Sequence, residues 1–169
     1  MNNNFLLREW RLSDKRPLTE NANNINIWNS VRDYFPHPYT EKDAEQFIQM
    51  VMNKPKPCAD YAIEIEGQAA GGIGVIPQTD VQAITMEIGF WLGEKYWRKG
   101  IMTDAVRQMV KQTFENFPVT KIFALIFEFN TASMRVLEKA GFVREAILKK
   151  SAIKNGKTID LYYYGFIKE

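Results

Sequence analysis

The chain has 169 residues, 46% hydrophobic and 25% charged, the balance of a folded domain rather than a disordered segment. Its 22 basic and 20 acidic residues leave a formal charge of +2, too even for a general nucleic-acid binder, so any basic site must be local. One cysteine, Cys58, and one histidine, His37, exclude an internal disulfide and a structural zinc site.

The opening MNNNFLLREW has no basic region followed by an apolar run, and no apolar run approaches the roughly 20 residues that cross a bilayer. The expectation is one domain over residues 1–169, cytoplasmic, with neither nucleic acid nor membrane as a partner. Phe5–Leu12 alternates loosely and predicts a first strand. Pro17 suits the first turn of a helix, and Leu18, Ala22, Ile25 and Trp28 keep helical spacing behind it. Tyr34–Tyr39 is an aromatic, proline-rich loop. Thr40, with Asp43 three residues on, predicts a capping-box start to a second helix. Ala44, Phe47, Ile48 and Val51 form its apolar face, and Lys54-Pro55-Lys56-Pro57 ends it.

Tyr61–Glu66 and Ala69–Ile76 read as two strands around Gly67-Gln68, and Ile84–Leu92 as a third. The helix after Gly100 carries Ala105, Val106, Met109, Val110, Phe114 and Phe117 on one face and stops at Pro118. Lys121–Phe129, almost wholly apolar, predicts a central strand covered on both faces. Asn130–Ala140 predicts a short helix closed by a left-handed Gly141. Asn155-Gly156 predicts the turn of a hairpin between Val143–Ile153 and Thr158–Ile167.

This order predicts an α+β fold in three layers: a mixed, mostly antiparallel sheet of seven strands with about four helices. The strand–helix–strand unit around Gly100 implies one central parallel pair, and where such a pair diverges a cleft opens at the carboxyl ends of the strands. The stretch Thr85–Ala105 organises the chain. Its apolar strand passes through a turn around Gly100 into a helix, so backbone N–H groups and the helix dipole face whatever lies above the turn. Arg98 and Lys99 add two full charges there, which suits a polyanion. Gly71-Gly72-Ile73-Gly74 is not a dinucleotide fingerprint, because it lies inside a hairpin strand with no helix following.

Three stretches fall in one order: Trp97-Arg98-Lys99-Gly100-Ile101-Met102-Thr103, then Asn130-Thr131-Ala132-Ser133, then Val136 to Phe142 ending in Ala140-Gly141-Phe142. Together they resemble the Gcn5-related N-acetyltransferase superfamily, in particular the branch of ribosomal-protein N-terminal acetyltransferases. The resemblance implies acetyl-CoA as cosubstrate, held in the splayed cleft, and no metal. The superfamily turn is usually Gln or Arg, two residues, Gly, one residue, then Gly or Ala; Trp97 and Met102 stand at its first and last positions here.

The implied cofactor residues are Phe90, Trp91 and Leu92 for the pantetheine arm, Trp97, Arg98, Lys99, Gly100, Ile101, Met102 and Thr103 for the pyrophosphate, Asn130 for the pantetheine amides, and Ser133 for the sulfur as a hydrogen-bond partner or relay. Gly89 suits a bulge in the pantetheine strand, and an N–H near Phe90 or Trp91 suits an oxyanion. Glu87 is the implied base, directly or through water. Many relatives donate a proton from a tyrosine at the position of Leu137, which leaves Ser133 as the remaining hydroxyl. Trp28, Tyr34, Phe35 and His37 are the implied acceptor wall, for an amine on a small molecule or a protein N-terminus. A monomer or homodimer is expected. The competing class is a binding module, an acyl-CoA sensor or assembly subunit without turnover.

Overall fold

The computed structural model describes residues 4–168. Seven strands form one sheet in the order β1-β2-β3-β4-β5-β7-β6. They are β1 (Phe5–Arg8), β2 (Asp60–Ile65), β3 (Gln68–Pro77), β4 (Thr85–Leu92), β5 (Lys121–Phe127), β6 (Val143–Lys154) and β7 (Lys157–Ile167). The helices are α1 (Lys15–Ala22), α2 (Ile25–Trp28), α3 (Glu41–Met52), α4 (Ile101–Asn116) and α5 (Thr131–Ala140), with short 3-10 turns at Leu12–Asp14, Asp80–Gln82 and Glu94–Tyr96. The parallel pair is β4 with β5, and it occupies the middle of the sheet. Its register is Thr85↔Lys121, Met86↔Ile122 and Glu87↔Phe123, and both strands run on beyond it, to Leu92 and to Phe127.

Three expectations need correction. The first strand stops at Arg8, not Leu12, because Arg8 turns inward onto Asp14 and the chain enters a 3-10 turn. The helix expected from Pro17 to Trp28 is two helices, giving five rather than about four. Asn24 takes an extended conformation and its side chain accepts from the N–H groups of Asn26 and Ile27, so it starts a new helix rather than continuing the old one. The strand β5 ends at Phe127, and Phe123, Leu125 and Phe127 are only half-buried, so one of its faces is incompletely covered.

The other local signals behave as their chemistry dictates. Thr40 Oγ1 accepts from Asp43 N while Asp43 Oδ2 accepts from Thr40 N at 2.8 Å, the reciprocal capping box. The Thr40 hydroxyl, and then its N–H, hold the Asp43 carboxyl below the usual range. Gly141 has φ 101° and returns the N–H of Phe142 to Leu137 O at 3.0 Å. Asn155 and Gly156 have φ 52° and 73°, the left-handed pair that a two-residue hairpin turn needs.

The chain forms two compact units. The first takes the chain up to Gly74 together with Phe90–Ala105. Its core gathers Trp10, Leu18, Ala22, Tyr39, Ala44, Ile48, Val51, Ala62 and Ala69, with Phe35, Phe47 and Trp91 packed against it. Gly71 and Gly72 are explained here. A Cβ on Gly71 would meet Leu92 Cα at 2.9 Å, and one on Gly72 would meet Trp91 Nε1 at 2.9 Å and Trp10 Cζ2 at 3.2 Å. The glycines are bare so that the end of β4 can lie close over β3.

Gly71→Ala is therefore expected to cost about 1–3 kcal/mol, the overpacking scale, because backbone must move. Gly89→Ala, where a Cβ meets nothing within 4 Å, is expected to change stability by less than about 0.5 kcal/mol. Denaturant titration of both variants checks this; equal midpoints would remove the close-approach account.

The second unit takes Val75–Gly89 and the chain from Val106 on. Its buried side chains include Val106, Met109, Ile122, Ala124, Leu137 and Tyr164, and Phe166 meets Phe114 and Phe142 with ring centroids 6.0 and 5.4 Å apart. Two register shifts interrupt β6 against β7. At the first, Glu145 is the extra residue and its carboxylate pairs with Lys121 at 2.5 Å. At the second, Lys150 has φ 52°, and Asp160 holds the distortion by accepting from Lys150 N at 2.9 Å and Lys149 Nζ at 2.7 Å. Interruptions of this kind make a long edge strand a poor template for further pairing.

Candidate active site

In the first unit the phosphate-type turn is built from its base upward. Ala70 is the extra residue of a bulge between β2 and β3, and its carbonyl accepts from Gly93 N at 2.8 Å. Asn21, on α1, donates Nδ2 to Pro17 O at 2.9 Å and to Ala69 O at 3.1 Å, beside the same glycine. Glu94 accepts from Asn24 Nδ2 at 2.6 Å and Asn26 Nδ2 at 3.1 Å, which lowers its carboxyl below the usual range and joins the turn to the start of α2. Tyr96 carries two cations over its ring, Lys95 Nζ at 5.0 Å and Lys99 Nζ at 5.6 Å from the centroid.

Trp97 closes this segment by donating Nε1–H to Leu92 O at 2.7 Å. Arg98 follows with φ 61° and Gly100 with φ 79°, so two of three successive residues are left-handed. Gly100 O accepts from Asp104 N at 3.3 Å and opens α4. Arg98, Lys99 and Gly100 are exposed, whereas Ile101, Met102 and Thr103 are buried. The side chains of these last three hold the helix in place, and only their backbone N–H groups, which lack intrahelical partners, suit a ligand. Alternating left-handed residues ahead of a helix gather N–H groups into an anion-binding concavity.

The aromatic residues of the same unit separate into two kinds. Phe35 is half-buried in the core, 5.6 Å edge-on from Trp91 and 5.0 Å from Tyr39 between centroids. Trp28 and His37 lie 5.7 Å apart with planes tilted by 31°. Tyr34 is 78% exposed, and burial pushes the Tyr39 phenol upward in pKa. Phe90 and Trp91 are half-buried and Leu92 is buried at the end of β4.

In the second unit Thr85, Glu87 and Gly89 alternate along β4 with buried Met86 and Ile88, so Glu87 stands on the less covered face and is half-buried. Asn130 ends the segment after β5 and caps α5, accepting from Ser133 N at 3.1 Å. That bond occupies Asn130 Oδ1 and the Ser133 amide, and leaves the Asn130 Nδ2 donors and the Ser133 hydroxyl as the chemically useful groups. Leu137 is fully buried, a core residue with no polar atom to offer. The buried phenol of Tyr164 donates to Glu138 Oε1 at 2.8 Å; its pKa is pushed up to about 12 by burial first and Glu138 second, so it is not poised for proton transfer near neutrality. Cys58 Sγ donates to Asp60 O at 3.1 Å. Among the described residues no group of three or more His, Cys, Asp or Glu is placed to hold a metal, and no helix is long and apolar enough to cross a membrane.

Two residues that hold this turn, Gly93 and Glu94, were not among those the sequence singled out. Arg98 was, but its left-handed backbone carries no signal of its own, with Gly100 two residues on as the one cue. Gly93 and Glu94 were passed over because their partners, Ala70, Asn24 and Asn26, are distant in sequence.

The chain as a whole is similar to known proteins. The sequence model of the acetyltransferase (GNAT) domain family matches residues 4–143. A probable N-acetyltransferase of Bacillus subtilis, YjcK, is 31% identical over 157 residues, covering 83% of this chain and 86% of its own. Among solved structures, the GNAT-family acetyltransferase from Bacillus anthracis superposes with a TM-score of 0.81 at 24% identity, over 96% of this chain and 94% of that one. The ribosomal L7/L12 α-N-protein acetyltransferase RimL, solved with coenzyme A, superposes with a TM-score of 0.85 at 19% identity, over 96% and 93% of the two chains. The chain belongs to the GNAT acetyltransferase family, and its seven-stranded sheet with the parallel β4–β5 pair is the fold of that family.

Proposed function

We propose that this acetyltransferase, acting as a single catalytic domain, moves the acetyl group of acetyl-CoA to the α-amine of an amino-acid unit, free or at a peptide N-terminus. The observation that carries the cosubstrate is the turn at 98–100: two left-handed residues, two exposed cations and the first amides of α4, a concavity suited to a diphosphate. In this reading Arg98 and Lys99 bind phosphate oxygens and the amides up to Thr103 face the pyrophosphate. Asn130 Nδ2 donates to the pantetheine carbonyls, and the backbone of Phe90 to Leu92 pairs with the arm.

Glu87, directly or through water, takes one proton from the ammonium, and the neutral nitrogen attacks the thioester carbonyl; an N–H near Phe90 or Trp91 stabilises the oxyanion, and the C–S bond breaks as the nitrogen gives its second proton to water. Ser133 hydrogen-bonds the departing sulfur, which leaves as thiolate or takes a proton from water. Trp28, Tyr34, Phe35 and His37 wall the acceptor.

Two things support an α-amine acceptor. Related proteins bear names pointing that way: RimL, an α-N-protein acetyltransferase, and the L-amino acid N-acetyltransferase AaaT of Escherichia coli, 25% identical over 105 residues. The second is chemical. With Leu137 in place of a tyrosine the acid–base set is modest. The α-amine of a peptide N-terminus titrates near 8 rather than the roughly 10 of a lysine, so far less work is needed to supply its neutral form.

The test is thiol release from acetyl-CoA with a panel of amino acids, N-terminal peptides and alkyl amines. Turnover confined to alkyl amines overturns the acceptor class. Saturable coenzyme binding with no turnover on any amine favours the second reading, a sensor, which rests on the same Leu137. Arg98→Ala is expected to weaken coenzyme A binding by about 1–3 kcal/mol, the scale of a charge-assisted contact. Calorimetry checks it; unchanged affinity means that the Arg98 charge lies in solvent.

A further inference from the structure

We infer that Trp97 is a positioning residue: its indole N–H, bonded to the last carbonyl of β4, sets the left-handed turn that presents Arg98 to the coenzyme diphosphate. The inference rests on the proposed cosubstrate and adds a division of labour within the turn.

The bond spans five residues, from Trp97 Nε1 to Leu92 O at 2.7 Å. Within the loop it closes, Tyr96 N donates to Gly93 O at 2.9 Å and Trp97 N donates to Glu94 O at 3.0 Å. Trp97 is thus held twice, by backbone and by side chain, on a base that Ala70 and Asn21 already fix at Gly93. The next residue is Arg98, an L-residue with φ 61°. Such a residue persists only where its surroundings over-determine it, and such residues collect at ligand clamps. Here the restraint on its N-terminal side is Trp97.

The ring itself is 39% exposed, so its packing is modest and the N–H is its distinctive group. A Gln or Arg at this position would put a flexible donor there; an indole puts a rigid one, whose single N–H is already committed to Leu92. A direct hydrogen bond from that N–H to the coenzyme would cost the loop its closure.

The test uses the full chain and coenzyme A. Trp97→Phe keeps an aromatic ring at the position and removes the donor together with the rest of the pyrrole ring. It is expected to raise the Kd for coenzyme A, and the KM for acetyl-CoA, about threefold to tenfold, the scale for one neutral hydrogen bond. The kcat at saturation and the Tm are expected to stay nearly unchanged. Because Trp97 acts through Arg98, Arg98→Ala is expected to cost at least threefold less affinity in the Trp97→Phe background than alone. Full multiplication of the two losses, or wild-type affinity in Trp97→Phe, overturns the inference. So does a large fall in Tm with kcat and KM falling together, which would make the bond merely structural.

An independent readout is hydrogen exchange of the Trp97 indole proton in the protein without coenzyme. Slow exchange is expected, and exchange at the rate of free indole overturns the bond itself. Failure of the wild-type protein to bind coenzyme A would instead overturn the proposed function, and the coenzyme part of this inference with it, whatever the indole proton does.

Discussion

Arg8→Met is expected to lower the stability of the fold by about 3–5 kcal/mol, the scale for breaking a buried ion pair by removing one partner. Arg8 is 9% exposed and Asp14 4%. The guanidinium donates to both oxygens of Asp14 at 2.7 Å, to Glu9 O at 3.0 Å, and to Glu64 on the neighbouring strand. The Asp14 hydrogen bonds chiefly, with Glu64, raise the Arg8 pKa against the opposing effect of burial. Its charge is thus present at any working pH.

Removing it takes the shared guanidinium from two carboxylates, one of them buried, with Arg11 N as the donor that Asp14 retains at 2.9 Å. For a chain of this length each kcal/mol moves Tm by about 2–4 °C, so a fall of roughly 10 °C is expected by calorimetry. Arg8→Lys, which keeps the charge but loses the planar fork, is expected to fall between the two. Replacing Arg8, Asp14 and Glu64 together with apolar residues is expected to recover much of the loss, because no unpaired charge then remains. A Tm within about 2 °C of wild type for Arg8→Met would mean that water reaches the site and that the cluster does little to hold β1.

Arg8 also illustrates why some of this fold could be read in the sequence and some could not. The capping box of Thr40 and Asp43, the hairpin turn at Asn155-Gly156 and the left-handed Gly141 are satisfied by residues within a few positions of one another, so local chemistry suffices to place them. The helices and strands follow from periodicities that one-sided burial imposes. Arg8 with Glu64, Gly71 against Leu92, and Ala70 with Gly93 join residues whose sequence neighbours say nothing about the pairing. In sequence Arg8 is one more basic residue, and Gly71-Gly72 looks like flexibility or a failed nucleotide motif; only the approach of β4 gives those glycines a purpose.

The candidate site divides the same way. Gly100, the cations beside it, Asn130 and Ser133 stand out because a strand-to-helix turn and a helix start are local objects. The left-handed Arg98 and the Trp97–Leu92 bond do not, because no residue type announces them. The break at Asn24 was legible in principle, since four asparagines in that stretch favour caps over helix interiors. What hid it was the apolar spacing of Leu18, Ala22, Ile25 and Trp28, which runs on through the break although the buried residue beyond it is Ile27 and Ile25 is exposed.

Glu87→Gln is expected to lower kcat at pH 7 about a hundredfold, within the range for loss of a general base, while coenzyme A affinity changes less than twofold. The split follows from position. Glu87 stands on β4 in register with Phe123, on the less covered face beside Gly89, where a Cβ would meet nothing within 4 Å. The residues proposed to grip the diphosphate lie more than ten positions further on, so neutralising Glu87 leaves that grip intact.

The pH dependence gives the sharper test. With a peptide acceptor, whose α-amine has a pKa near 8, the amine is mostly protonated at pH 7, and the wild-type protein must strip its proton to use it. Above about pH 8.5 the amine is already neutral in solution and the base loses much of its advantage. The ratio of wild-type to variant rate is therefore expected to be largest below pH 7.5 and to shrink as pH rises. A loss that is constant across pH would assign Glu87 to orientation of the acceptor rather than to proton removal. An undiminished rate at pH 7 would remove it from the mechanism and leave the amine to lose its proton directly to water.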